Sequence, residues 1–308
     1  MLTLRLTHWT FTHKLYKQPI PTNDMLSVTT ITSYLYCKRK LFLTKVLGFR
    51  EPYKPALIKG TVRHETHELI NKTEQQIVEK ITKKTTKEQL FEQYKQHNSK
   101  ILRDIIHKNE DKIKEMGLEP NELFKNTWPL ILEESVTRAK NIYEFMETHL
   151  IYGKDLWEKL TPKIQSELRI ESTNLGIRGI IDQIEIYKTG IVPIELKTGS
   201  CPKEGVWENH RIQAVAYALL AEEHFKQEVK EAFVYYLDHV QKRHIPINPF
   251  HKEEIKDLIT ATNALLNSSE LPGIEKNQNK CRNCGLKDKC HSDTVIKTQY
   301  EKIFNRNI

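Results

Sequence analysis

Residues 177–197 read IRGIIDQIEIYKTGIVPIELK, and their pattern decides the fold. Apolar and polar residues alternate over Ile177–Tyr187, Lys188-Thr189-Gly190 turns the chain, and Ile191–Lys197 supply a further strand. A period of two marks strands, and short Gly- or Asn-containing breaks join them as hairpins. Working backward, Lys163–Ser172 (KIQSELRIES) alternates too, and Asn174-Leu175-Gly176 turns it into the next run. The spacing predicts a three-stranded antiparallel meander. Working forward, a helix is expected from about Val206 to Phe225. Strands follow at EAFVYYLD (231–238) and KRHIPIN (242–248), then a helix from about His251 to Leu266. Upstream, one helix is expected over Thr32–Val46 with Thr32 or Ser33 as N-cap, and another from about Pro55. The core order is helix, three strands, helix, strand, strand, helix, which is an α/β arrangement.

The chemistry-bearing residues fall on those strands. Asp182 shares its strand face with Ile180, Ile184 and Ile186, so that face is expected to point at the core. A carboxylate there is costly unless a cation meets it. Glu195 and Lys197 share a face of the next strand. Hard divalent ions such as Mg²⁺ bind carboxylate oxygens, activate water and clamp phosphate oxygens. Lys197, two residues on, suits stabilisation of developing charge. A plain buried salt bridge between Lys197 and either acid is the bland alternative. His64 follows Gly60 by one helical turn in GTVRH, and a nitrogen ligand there favours Mn²⁺ as well as Mg²⁺. Gly60 is expected to permit a close backbone approach. HETH places its histidines three apart, so it is not a zinc-protease motif. Gln213 and Tyr217, also one turn apart, suit positioning of phosphate or Lys197; ordinary helix packing is their bland alternative.

Five cysteines occur, and three lie in CRNCGLKDKC: Cys281, Cys284 and Cys290. An odd count without a secretory signal argues against a disulfide framework and for metal or cluster ligation in a cytoplasmic protein. A fourth ligand is needed, either His291 or the distant Cys37, and the spacing admits zinc and iron–sulfur alike. Cys201 reads as a spectator.

The chain has 308 residues, 38% apolar, with a formal charge of +8. That excess suits a polyanionic partner or simply a Lys-rich surface. No apolar run is long enough to span a membrane, and no phosphate-binding G-x-x-x-x-G-K-[ST] loop signals ATP use. Residues 1–26 are an unpatterned leader. Residues 71–160 are near-balanced in charge and rich in helix formers, so a helical insertion is expected there, broken at Trp128-Pro129. The remaining divisions are 27–70 with 161–270 as core, and 271–308 as a cysteine tail.

Taken together, Cys37, GTVRH ending at His64, GIID ending at Asp182, ELK over Glu195–Lys197, QAVAY over Gln213–Tyr217, and the three late cysteines resemble a known family. It is the RecB-like branch of the PD-(D/E)XK nucleases with an iron–sulfur cluster, in particular the CRISPR-associated exonucleases of spacer acquisition. The resemblance implies a restriction-endonuclease-like core with a central mixed sheet flanked by helices. It implies a [4Fe–4S] cluster on Cys37, Cys281, Cys284 and Cys290, and Mg²⁺ or Mn²⁺ on His64, Asp182, Glu195 and the Leu196 carbonyl. Lys197 is implied as the catalytic lysine, with Gln213 and Tyr217 beside it. The implied activity is exonuclease action on single-stranded DNA, trimming precursors in antiviral defence together with the CRISPR integrase. The departure is the long 71–160 region, which leaves a stand-alone repair or recombination nuclease as an alternative pathway. A different class is a non-catalytic, cluster-bearing DNA-binding subunit.

Overall fold

The structure, a computed structural model, describes residues 25–304. Residues 1–24 of the expected leader lie outside the described residues. Leu26–Ser27 form a two-residue strand, β1, and Ser27 then caps the first helix, its Oγ accepting from the Thr30 amide. That helix, α1, spans Val28–Tyr36, and α2 spans Lys38–Lys45. The single helix expected over Thr32–Val46 is therefore two. Cys37 sits between them in extended backbone, with its amide still bonded to the Ser33 carbonyl and its sulfur accepting from the Lys40 amide. The corner aims a thiol outward that a continuous helix would have kept along its side.

Helix α3 runs over Pro55–Val78 with Pro55 in its first turn, where the missing amide hydrogen costs nothing. Next come α4 (Lys87–Lys108), α5 (Glu110–Glu115), α6 (Pro120–His149) and α7 (Gly153–Lys159). Thr86 and Gln89 close a reciprocal capping box on α4. The expected break at Trp128-Pro129 does not occur, because α6 continues through Pro129. Its flanks are held by apolar packing: Leu123 and Ile131 bury against Leu102, Ile105 and Ile106 of α4. The helices are also tied by buried charge. Glu74 of α3 receives both Arg138 of α6 and the Tyr94 hydroxyl of α4.

The sheet follows. Strands β2 (Lys163–Ser172), β3 (Ile177–Ile186) and β4 (Ile191–Lys197) form the expected antiparallel meander. After α8 (Glu208–Phe225), β5 (Glu231–Tyr236) lies parallel to β4, and β6 (Gln241–Pro246) returns antiparallel. The result is a mixed six-stranded sheet with β2 on one edge of β3, and β1 and β4 on the other. The chain closes with α9 (Pro249–Leu266), α10 (Gln278–Arg282), α11 (Lys287–Cys290) and α12 (Asp293–Phe304).

Helix α8 is buried over Ile212–Ala221 and packs on the sheet with α1 and α9. Each fully buried Ile or Leu there stabilises the fold by about 1.5–3 kcal/mol before cavity effects. Gly179 is what lets α8 come close: a Cβ at that position would lie 2.6 Å from the Tyr217 ring. Gly60 is different. A Cβ there would meet the Thr198 hydroxyl at 3.5 Å, an ordinary contact, so no close approach requires glycine, contrary to expectation.

Candidate active site

The register of the meander puts the acids together. Gln183 pairs with Ile194 across β3 and β4, so Asp182 and Glu195 are the next residues in line. There the paired ladder ends, and the Asp182 side chain takes over: its Oδ2 accepts from the Leu196 amide at 2.8 Å. The face that carries Asp182 is not uniformly buried, which corrects the expectation. Ile184 is buried, while Ile180 is 38% exposed. Asp182 stands where a closed face becomes an open one, and its second oxygen, Oδ1, is not the one held by the Leu196 amide.

That partner side contains His64. Its Nδ1 lies 3.4 Å from Asp182 Oδ1. Burial pulls the imidazole toward neutrality, but the Asp182 carboxylate outweighs it and holds the pKa above the usual value. Burial likewise pushes the Asp182 pKa up, and His64 together with the Leu196 amide bring it below the ordinary carboxylate value.

Glu195 is 2% exposed. Burial first, and Asp182 second, hold its pKa well above the carboxylate range. One oxygen, Oε1, receives the Lys197 ammonium at 2.5 Å; the other, Oε2, has no hydrogen-bond partner among the described residues. The bland ion pair is therefore present, yet it answers only half of the carboxylate. Lys197 Nζ also donates to Gln213 Oε1 at 2.9 Å, and Gln213 Nε2 donates to the Tyr217 hydroxyl at 3.2 Å. Residues one helical turn apart on α8 thus orient the lysine: Lys197 donates both to Glu195 and to Gln213, and Gln213 donates on to Tyr217. His210, one turn earlier, lies near enough that burial and the Lys197 charge push its pKa down to about 4.

One residue of this site escaped the sequence reading. Glu167 of β2 lies between Ser166 and Leu168, which pair with Gln183 and Ile181, and so it faces Asp182. Its backbone is left-handed, with φ +54°. Ligand atoms of His64, Glu167 and Asp182 all fall within 4.8 Å of one another, a spacing that one cation spans. Burial, Asp182 and Glu68 push the Glu167 pKa up to about 7. The signal was available: the turn at Asn174–Gly176 fixes the register that pairs 167 with 182.

Trp207 follows this region in the loop before α8. It is 45% exposed, its indole Nε1 donates to the Ser200 carbonyl, and its amide donates to the Tyr236 hydroxyl.

The second candidate site gathers residues from both ends of the described chain. Cys37, Cys281, Cys284 and Cys290 line one pocket with Tyr36, Lys40 and His291. Cys201 lies elsewhere, against the sheet core. Burial pushes the Cys37 thiol pKa up, which a bound metal would reverse. Arg39, 7% exposed, was not singled out from sequence, where it reads as one of three consecutive basic residues. Its Nε donates to Cys290 Sγ at 3.3 Å and its other nitrogens to the Pro272 and Cys290 carbonyls. Among the described residues, no three of these sulfurs lie within 4.8 Å of one another.

The family model described as the PD-(D/E)XK nuclease superfamily matches residues 25–291. A CRISPR-associated exonuclease Cas4/endonuclease Cas1 fusion of Leptospira interrogans is 28% identical over 165 residues, 49% of this chain and 30% of that protein. A DNA replication ATP-dependent helicase/nuclease of Arabidopsis thaliana is 26% identical over 159 residues, 45% of this chain and 12% of that protein. A protein of the same description from Mus musculus is 24% identical over 299 residues, 86% of this chain and 26% of that protein. The chain thus spans less than a third of the length of each of these relatives.

Proposed function

Since the chain belongs to the PD-(D/E)XK nuclease superfamily, we propose that it is a divalent-metal-dependent DNA exonuclease that acts on single strands. One observation carries the reading: a half-buried and a buried acid on adjacent strands, one facing His64 and the other facing a lysine that α8 holds in place. The donor set fits a cation of the Mg²⁺ or Mn²⁺ class. It offers Asp182 Oδ1, the His64 imidazole and the Glu195 Oε2 that no donor among the described residues satisfies. The Leu196 carbonyl completes the proposed set, and the donation of the Leu196 amide to Asp182 supports that choice.

When bound, such a cation supplies Lewis acidity to a phosphate oxygen and lowers the pKa of the attacking water. The remaining work belongs to the chain. Asp182 and Glu195 fix the position of charge between β3 and β4. Lys197 moves from Glu195 toward the nonbridging oxygens as negative charge grows, and Gln213 limits where its ammonium can go. A preoriented donor of this kind is worth about 2.7–4 kcal/mol in the transition state. Trp207, half exposed and pinned by its indole N–H, offers a face for a nucleobase.

The four-thiol pocket fits a [4Fe–4S] cluster on Cys37, Cys281, Cys284 and Cys290. Zn–S bonds near 2.3 Å in a tetrahedron need sulfurs about 3.8 Å apart, and since among the described residues no three of these sulfurs lie within 4.8 Å of one another, the larger group is favoured. The Cas4/Cas1 resemblance supports a role in trimming DNA for the CRISPR integrase. The alignment with the mouse helicase/nuclease over 86% of the chain favours a second reading, a replication or repair nuclease.

The test is cleavage of end-labelled linear single strands, circular single strands and duplex in Mn²⁺. Linear single strands should be shortened and circles spared. Asp182→Asn and Lys197→Ala should each lower the rate by about 10²–10³. Undiminished cleavage by both variants removes the site assignment; cut circles remove the exonuclease assignment; equal loss of duplex removes the single-strand preference.

A further inference from the structure

We infer that Glu167, on the edge strand β2, is a further side-chain ligand of the cation at Asp182. The inference rests on the metal-dependent reading above and deepens it.

Three observations converge on this carboxylate. Its register position faces Asp182, and its oxygen comes within 4.8 Å of ligand atoms on both His64 and Asp182. Among the described residues no hydrogen-bond donor or ion-pair partner holds it, whereas its neighbour Glu68 is paired with Lys72. The site also has a second unanswered oxygen. Glu195, 2% exposed, leaves Oε2 without a donor among the described residues; it feels the Asp182 charge, and its own is felt by His64.

The charge balance then decides between a ligand and a bystander. Asp182, Glu195 and Glu167 bring three carboxylates to one imidazole and one ammonium. Each carboxylate withdrawn from water without a partner is penalised, and the like charges repel. An edge strand has a simple escape, which is to turn the side chain to solvent. Glu167 does not take it. It stays half-buried, in a left-handed backbone that costs a non-glycine residue about 1–3 kcal/mol. A divalent ion repays the gathering of oxygen ligands, and an oxygen-rich set with one imidazole suits Mg²⁺ and Mn²⁺. His64, Asp182 and Glu167 then bind it from α3, β3 and β2, while Glu195 approaches from β4.

The experiment is calorimetric titration of Mn²⁺ into the full chain. The variants are Glu167→Gln and Glu167→Gly, with Asp182→Asn and the exposed Glu171→Gln as references. Glycine tolerates the left-handed backbone, so Glu167→Gly removes the carboxylate without loading the strand. Both Glu167 variants should bind Mn²⁺ at least about tenfold more weakly than wild type, with Glu171→Gln unchanged. Wild-type affinity in both Glu167 variants, with affinity lost in Asp182→Asn, overturns the Glu167 assignment alone. Wild-type affinity in Asp182→Asn overturns the metal reading itself, and Glu167 with it. Circular dichroism of the metal-free variants separates ligand loss from misfolding, because Glu167→Gly should melt no lower than wild type.

Discussion

The carboxylate site and the cysteine pocket are built in opposite ways. Glu167, Asp182, Glu195 and Lys197 come from three successive strands, and the hairpin register alone brings them together. The cysteine pocket joins Cys37 to Cys281, Cys284 and Cys290 across nearly the whole chain. Local turns cannot do that, so the joint is made by individual straps. The Tyr36 hydroxyl reaches the Lys280 carbonyl, Arg39 holds Pro272 and Cys290, and Glu51 accepts from the Gly285 amide. Beneath them, Phe42, Leu43 and Leu47 bury with Leu286 and Ile296. A site written into neighbouring strands keeps its geometry when one residue changes. A site assembled from distant segments depends on each tie.

The largest break in this contrast is expected from Cys37→Ser. It removes the pocket's only thiol from the early part of the chain. Iron content per chain should fall sharply, and the melting temperature should drop by several degrees, about 2–4 °C for each kcal/mol lost in a chain of this size. Mn²⁺ affinity at Asp182 should stay within about twofold, since sites without shared partners behave independently. Cluster content equal to wild type would instead assign the fourth ligand to His291 or another side chain of the pocket. A colourless protein carrying stoichiometric zinc would remove the cluster altogether.

A smaller effect sharpens the same contrast through pH. Although burial raises it, the Glu51 carboxyl is held down to about 2 by Lys40, by the Gly285 amide and by Lys54. A carboxyl whose folded pKa is depressed contributes stability above its unfolded value, near 4.3, and loses it as pH falls toward the folded value. The docking of residues 278–300 should therefore loosen in acid, between about pH 4 and 2. Hydrogen exchange of those amides should show the step. Glu51→Gln should show faster exchange at pH 7 and no such step, with β3 and β4 unaltered. Identical acid profiles in the two proteins would detach Glu51 from the joint.

How much was legible follows from the same difference. The β2–β4 meander, the α8 interval and the acid–acid–lysine set could be read because period-two alternation and short turns are local properties. Gln213 and Tyr217 could be paired because one helical turn separates them. Cys37 as an element boundary could not, since helix propensity continues through it and only its place beside the late cysteines explains the extended backbone. Pro129 misled for a related reason: burial of Leu123 and Ile131 against α4 overrides a local helix breaker. Glu167 was missed because an acid on an edge strand reads as a solvated residue until the opposite strand is in place. Arg39 and Glu51 carry no local pattern at all; their roles exist only once the chain ends have met.

The central claim is that a divalent cation belongs between β3 and its neighbours at Asp182. Anomalous diffraction from a Mn²⁺-loaded crystal tests it most directly. A manganese peak bonded to Asp182, His64 and Glu195 is expected, with Glu167 turned toward it. A crystal in Mn²⁺ with no peak there, and Glu195 still answered only by Lys197, would contradict it.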